Sequence, residues 1–150
     1  MSRKSAAPIA PVAQTAVCPQ GVKLAGETCR RVLVVEDNPI TQLIALEQLK
    51  RLNCVALAVS TGFAALEASQ AETFDLILMD CGLPYLDGFE TVRAIREHER
   101  NAQRERVAIV AITANTDDEC VDKCMRAGMD GYFSKPISMA ELRGLLTRFL

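Results

Sequence analysis

The sequence predicts an α/β chain, a doubly wound (βα)5 sandwich of three layers built on a five-stranded parallel sheet. Three observations carry that expectation. Five short apolar runs alternate with five segments of helical spacing, the pattern of parallel strands joined by helical crossovers. The runs are apolar at successive positions rather than at every second one, so both sheet faces are to be covered. Each run also ends at a polar, chemically useful residue, as expected where strand C-termini open on one crevice. Right-handed crossovers leave few arrangements of five such units, and the order 2-1-3-4-5 sets strands 1 and 3 side by side at the switch point.

Taken in order, the first run spans Arg31 to Glu36 and leads into Asp37. Asn38-Pro39 then reads as an N-cap followed by proline at the first helical position. Ile40, Leu43, Ile44, Leu49 and Leu52 are expected to form the buried stripe of that helix. The second run, Cys54 to Val59, ends at Ser60-Thr61, and Thr61-Gly62 opens a shorter helix carrying Ala65, Leu66 and Ala68. The third run, Asp75 to Met79, leads into Asp80. Asp87 and Glu90 bracket the start of a helix with Phe89, Val92 and Ile95 inward, and its charged end, Glu97 to Arg106, is expected to be solvated surface. The fourth run, Val107 to Ile112, ends at Thr113. Thr116 with Glu119 reads as a capping box, Val121, Cys124 and Met125 as one inward face, and Gly128 as the stop. The fifth run, Gly131 to Ser134, leads into Lys135-Pro136, where X-Pro base rates favour trans. Ser138 with Glu141 is a second capping box, followed by Leu142, Leu145, Leu146 and Phe149 on one face.

Composition narrows the function classes. The 150 residues suffice for one domain with a substantial core, and the net charge of −2 offers no electrostatic footprint for nucleic acid or an anionic membrane. No apolar run approaches the ~20 residues of a membrane helix. Six cysteines without C-x-x-C, beside a single histidine, are neither a zinc site nor a needed disulfide framework, and a reducing cytoplasm is the expected compartment. Residues 1–30 differ: Pro8, Pro11 and Pro19 interrupt an Ala- and Val-rich stretch without a lasting period. They are expected to be a flexible tail or linker, not a signal peptide, ahead of a folded domain at 31–150.

The strand ends are where chemistry collects. Glu36 and Asp37 after strand 1 and Asp80 after strand 3 would bring three carboxylates into one crevice, which like-charge repulsion opposes. A divalent cation removes that penalty. Mg²⁺ takes oxygen ligands, keeps several waters and is commonly held by one or two carboxylates plus phosphate oxygens. A carboxylate is also a competent nucleophile toward phosphorus. Transfer then needs mainly positioning and charge neutralisation, for which Lys135 offers an ammonium and Thr113 a hydroxyl.

Val-Leu-Val-Val-Glu36-Asp37-Asn38, Leu-Met-Asp80-Cys81-x-x-Pro84-x-x-Asp87-Gly88, Ile-Thr113-Ala114-Asn115 and Lys135-Pro136 together resemble the receiver domain of two-component response regulators. The resemblance covers Arg31 to Leu150. The Met-Asp-Cys and Thr-Ala-Asn wording is most similar to receivers of hybrid sensor histidine kinases. It implies a flavodoxin-like fold, and 2-1-3-4-5 is that family's order, so the order is not independent of the resemblance. It further implies that Asp80 accepts a phosphoryl group from a phosphohistidine of a sensor kinase or histidine phosphotransfer protein. Asp37, Asp80 and the Gly82 backbone carbonyl would ligate Mg²⁺, with Glu36 acting through water. Thr113 and the Ala114 backbone would grip the phosphate, Lys135 would pair with it, and Tyr132 matches the aromatic switch. The implied output is a population shift altering the face of helix 4, strand 5 and helix 5, through which a downstream protein or a weak homodimer would bind. Driving such an equilibrium from 1:99 to 99:1 takes about 5.5 kcal/mol, and no turnover enzyme is implied beyond self-phosphorylation and self-dephosphorylation.

Other readings of the same residues differ in one feature each. Aspartyl phosphohydrolases of the haloacid-dehalogenase type place a second aspartate two residues after the nucleophile, where Gly82 stands here. A flavin or nucleotide binder needs a Gly/Ser/Thr-rich phosphate loop after strand 1, and Glu36-Asp37-Asn38-Pro39 would repel phosphate. A pseudo-receiver serving only as an interaction module would lack part of the residue set. Many hybrid-kinase receivers carry Gln-Met after Asp-Cys. Gly82-Leu83 stand here, and the bare glycine together with Asn115 bears on water access and phospho-form lifetime. Cys81, Cys120 and Cys124 read as packing residues, His98 as no phosphodonor, and Tyr85 as an exposed loop residue.

Overall fold

A computed structural model describes residues 30–82, 87–114 and 116–149. The tail at 1–29, the loop carrying Leu83 and Tyr85, and Asn115 lie outside the described residues. Five strands and five helices alternate: β1 (Arg30–Val35), α1 (Pro39–Arg51), β2 (Cys54–Val59), α2 (Gly62–Ala71), β3 (Leu76–Asp80), α3 (Gly88–Asn101), β4 (Ala108–Thr113), α4 (Asp118–Ala127), β5 (Gly131–Ser134) and α5 (Met139–Phe149). All strand pairs are parallel, in the order β2-β1-β3-β4-β5. β2 and β5 coincide with their apolar runs, while β1, β3 and β4 are displaced from theirs by a residue. Glu36 falls just past β1, while Asp80 and Thr113 are the last residues of β3 and β4.

The uninterrupted apolar runs follow from burial on both faces. Leu33, Val35, Ile77, Met79, Ile109 and Ala111 pack beneath α2, α3 and α4 against Ala65, Val92, Ile95 and Cys124. The intervening Val32, Val34, Leu76, Leu78 and Val110 pack beneath α1 and α5 against Leu49, Leu142 and Leu145. Alternate side chains of one strand thus feed two separate cores.

Helix ends carry the expected caps, with one exchange. Asn38 Oδ1 accepts from the Ile40 and Thr41 N–H groups, and Thr61 and Asp87 cap α2 and α3. Ser138 and Glu141 form the reciprocal pair foreseen, at 3.0 and 3.1 Å. At α4 the cap is Asp117, whose Oδ1 accepts the Cys120 N–H at 2.8 Å, one residue beyond the Thr116 of the expected box. Gly128 ends α4 in the left-handed region, at φ 109°, where only glycine is unstrained. The Lys135–Pro136 bond is cis.

Burial departs from expectation in three places. On α1, Ile40, Leu43 and Ile44 are exposed (67, 64 and 54 %), while Leu49 is buried and Ala45, Leu46 and Leu52 pack partly against the core. The helix carries two apolar stripes, and only one meets the sheet. Met125 on α4 likewise points outward, at 50 % exposure. The end of α3 is mostly exposed, as expected, with Glu99 as the buried exception. Arg96 and Glu99 are buried, the Arg96 guanidinium donating to Glu99, Asp130 and the carbonyls of Gly128 and Val107. Arg104 reaches the carbonyls of Ser69, Gln70 and Glu72 at the end of α2.

Candidate functional site

The C-terminal ends of β1, β3, β4 and β5 open on a cleft of about 610 Å³ lined by Glu36, Asp37, Asn38, Pro39, Thr41, Asp80, Gly82, Thr113, Ala114 and Lys135. One carboxylate oxygen from each of Glu36, Asp37 and Asp80 lies within 4.8 Å of the others. Their environments differ. Glu36 and Asp80 are buried, at 4 and 6 % exposure, whereas Asp37 stands at the open mouth.

Each buried carboxylate is held by one backbone N–H and one shared ammonium. Lys135 Nζ lies 3.0 Å from Glu36 Oε1 and 3.1 Å from Asp80 Oδ2. The other oxygens accept from the Asn38 N–H and the Gly82 N–H, both at 3.0 Å. Burial holds the Glu36 carboxyl above its ordinary range, with Asp80 adding to the rise and the Asn38 N–H and Lys135 pulling the other way. For Lys135 burial works against the charge, but hydrogen bonds to Glu36 and Asp80 prevail and its ammonium is held above the ordinary lysine range. The lysine therefore stays cationic and leaves the three-acid nest short of full compensation.

Local structure explains the placement. The Lys135 N–H donates to the Thr113 carbonyl at 2.9 Å, tying the segment after β5 to the end of β4. Thr113 is buried, and its Oγ1 lies 4.0 Å from Cys120 Sγ on α4. A Cβ on Gly88 would fall 2.7 Å from the Asp80 carbonyl oxygen, so only glycine lets α3 start against the backbone of Asp80. A Cβ on Gly82 would meet Asp80 Oδ1 at an ordinary 3.7 Å, so the glycine does leave space there. Ala114 is exposed at the cleft. Tyr132 lies outside it, 43 % exposed, paired in register with Ala111.

Cys81 and Cys124 are buried with their sulfurs 3.8 Å apart. Burial pushes the Cys81 thiol far above its ordinary value, which suits packing and not reactivity. Sequence reasoning passed over Gln42, whose carboxamide reaches the Glu36 carbonyl from α1. It also missed the network around Arg96. Both depend on contacts between elements that no local pattern marks. His98, in the last turn of α3, borders a separate cleft of about 670 Å³ at the opposite ends of the strands.

The geometry invites comparison with known proteins. The family model described as the response regulator receiver domain matches residues 32–147. This chain belongs to that family. It is 38 % identical over 122 residues to hybrid signal transduction histidine kinase L of Dictyostelium discoideum, covering 79 % of this chain and 7 % of that protein. Against the sensor histidine kinase GacS of Pseudomonas protegens it is 38 % identical over 119 residues, 79 % of this chain and 13 % of that protein. The chain thus spans only a small part of the curated relatives it matches. Among solved structures, the receiver domain of sensor histidine kinase PA1611 from Pseudomonas aeruginosa, with magnesium coordinated in its active-site cleft, aligns with TM-score 0.74 and 38 % identity over 81 % of this chain and 98 % of that one. The receiver domain of Saccharomyces cerevisiae Ssk1, crystallised with the histidine phosphotransfer protein Ypd1, aligns with TM-score 0.75 and 30 % identity over 81 % of this chain and 88 % of that one. This receiver is flavodoxin-like, as the resemblance implied, and no described helix is long and apolar enough to cross a membrane.

Proposed function

We propose that this receiver is a phosphoacceptor switch in a phosphorelay, its folded unit spanning 31–150 with 1–30 as linker. The observation that carries the reading is the Asp80 carboxylate: buried, yet at the floor of an open cleft, with Lys135 on one oxygen and two further acids beside it. An Asp80 oxygen attacks the phosphorus of a phosphohistidine on a sensor kinase or phosphotransfer protein, the P–N bond breaks, and its electron pair leaves with the imidazole, neutral because its other ring nitrogen carries the proton. The new O–P bond makes Asp80 an acyl phosphate.

The donor set suits Mg²⁺: hard oxygens only, one acid exposed, and room for water and phosphoryl oxygens. Asp37, Asp80 and the Gly82 carbonyl would hold it, with Glu36 through water. When bound, the ion neutralises charge spreading over the transferred group. Lys135 then moves its charge-assisted bond from carboxylate to phosphate, and Thr113 with the Ala114 N–H closes over the new oxygens. Drawing Thr113 inward disturbs its contact with Cys120, hence α4, and Tyr132 relays the change to the face of α4, β5 and α5, where exposed Met125 also lies. That face would bind a downstream protein or a second copy. The exposed Ile40, Leu43 and Ile44 beside the cleft suit an apolar docking ridge for the phosphodonor. The setting is the cytoplasm, and the chemistry is limited to self-phosphorylation and self-dephosphorylation.

Incubation with acetyl phosphate and Mg²⁺ tests this by mass spectrometry. The wild type is expected to gain a hydroxylamine-labile phosphoryl adduct on Asp80 that Asp80→Asn lacks. An equal adduct on the variant overturns the assignment.

A further inference from the structure

Gln42 does not line the cleft, yet it is tied to the cleft's backbone. Its Nε2 donates to the Glu36 carbonyl at 2.6 Å and lies 3.1 Å from both the Val59 carbonyl and Ser60 Oγ. The same Val59 carbonyl accepts the Glu36 N–H at 3.0 Å. One half-buried side chain of α1 thus pins the end of β1 to the end of β2, at the residue where the acidic segment starts.

That segment needs holding. The sheet register of β1 stops at Val35, and beyond it three neighbouring carboxylates repel one another. The Glu36 side chain has the Asn38 N–H and Lys135 to fix it, but those bonds do not set the direction in which Asp37 leaves the chain. The peptide plane joining Glu36 to Asp37 does, because the Glu36 carbonyl and the Asp37 nitrogen share it.

We infer that Gln42 is a positioning residue of the divalent-cation site, clamping the Glu36–Asp37 peptide so that the Asp37 carboxylate meets Asp80 across the cleft. The inference rests on the Mg²⁺ reading above and deepens it. Partners that orient metal ligands typically contribute 10- to 100-fold in affinity. Gln42 acts through backbone, so about tenfold is expected.

The test is calorimetric titration of Mg²⁺ into the full chain as wild type, Gln42→Ala and Gln42→Met, with melting in EDTA run in parallel. Methionine keeps length and helix propensity but cannot donate, so it carries the test if the alanine variant folds poorly. Thr61→Ala, which removes the α2 cap on the neighbouring loop, controls for general loosening. Both Gln42 variants are expected to bind Mg²⁺ about tenfold more weakly, and Thr61→Ala as wild type despite a lower melting temperature. Wild-type binding with both Gln42 variants within twofold of it overturns the inference and leaves the cation reading intact. So does an equal loss in Thr61→Ala. Failure of the wild type itself to bind Mg²⁺ overturns the cation reading.

Discussion

Replacing Lys135 by methionine removes the one ammonium shared by two buried carboxylates. Breaking a buried ion pair from one side typically costs about 3–5 kcal/mol, because the remaining charge is stranded. Here the loss falls at or just below the bottom of that range. The Lys135 side chain is 27 % exposed, and Glu36 and Asp80 each keep a backbone N–H at 3.0 Å. A loss of about 2–3 kcal/mol follows, which at roughly 4 °C per kcal/mol for a domain of this size is about 10 °C in melting temperature. Mg²⁺ supplies the missing positive charge. The variant's cation site no longer contains a competing ammonium, so Lys135→Met is expected to bind Mg²⁺ more tightly than wild type, each tenfold recovering about 1.4 kcal/mol. Calorimetric melts at pH 7 are therefore expected to show a gap of about 10 °C in EDTA that shrinks to about 5 °C in saturating Mg²⁺. An equal gap in both buffers would refute the idea that lysine and cation balance the same charges.

Arg96→Met is expected to lower stability by about 3 kcal/mol, near the low end because Glu99 keeps the Val107 N–H and Asp130 keeps Arg106. Adding Glu99→Leu should recover part of the loss in guanidinium unfolding, and a further drop would contradict the pairing. For Glu36 the sign is set by its folded carboxyl standing above 4.5. Its contribution is fully present below the unfolded value and is lost as pH rises through the folded one. In EDTA the wild type should thus fall in stability relative to Glu36→Gln between acid and neutral pH, and a relative rise would reverse the argument. Ile44→Asp on the exposed stripe of α1 is expected to slow labelling by a phosphohistidine protein at least about tenfold while leaving labelling by acetyl phosphate unchanged. Equal slowing of both would place Ile44 in the fold and not in docking.

Much of this molecule was legible because strands buried on both faces leave an unmistakable run, and because parallel strands deliver their terminal residues to one edge. Glu36, Asp37, Asp80, Thr113 and Lys135 meet for that reason. The α1 expectation held at Leu49 and Leu52 but failed at Ile40, Leu43 and Ile44 for a related reason. A helical period shows that apolar residues share a face, but α1 has one stripe through Ala45, Leu46, Leu49 and Leu52 and another through Ile40, Leu43 and Ile44. Only the sheet decides between them. At the start of α4, Thr116 and Asp117 are both acceptable caps by type, and a one-residue difference in entry selects the aspartate. Glu99 looked like solvent-facing charge because its partners are Arg96 and the Val107 N–H at the entry to β4, while Arg96 itself is met by Gly128 and Asp130 from the entry to β5.

The most direct measurement is a crystal structure grown with Mg²⁺ and beryllofluoride, a mimic of the phosphoryl group. The account predicts beryllofluoride on an Asp80 oxygen, the cation between Asp37, Asp80 and the Gly82 carbonyl, and Lys135 turned onto fluoride. Ordered crystals carrying both species elsewhere, with Lys135 still bridging Glu36 and Asp80, would contradict it.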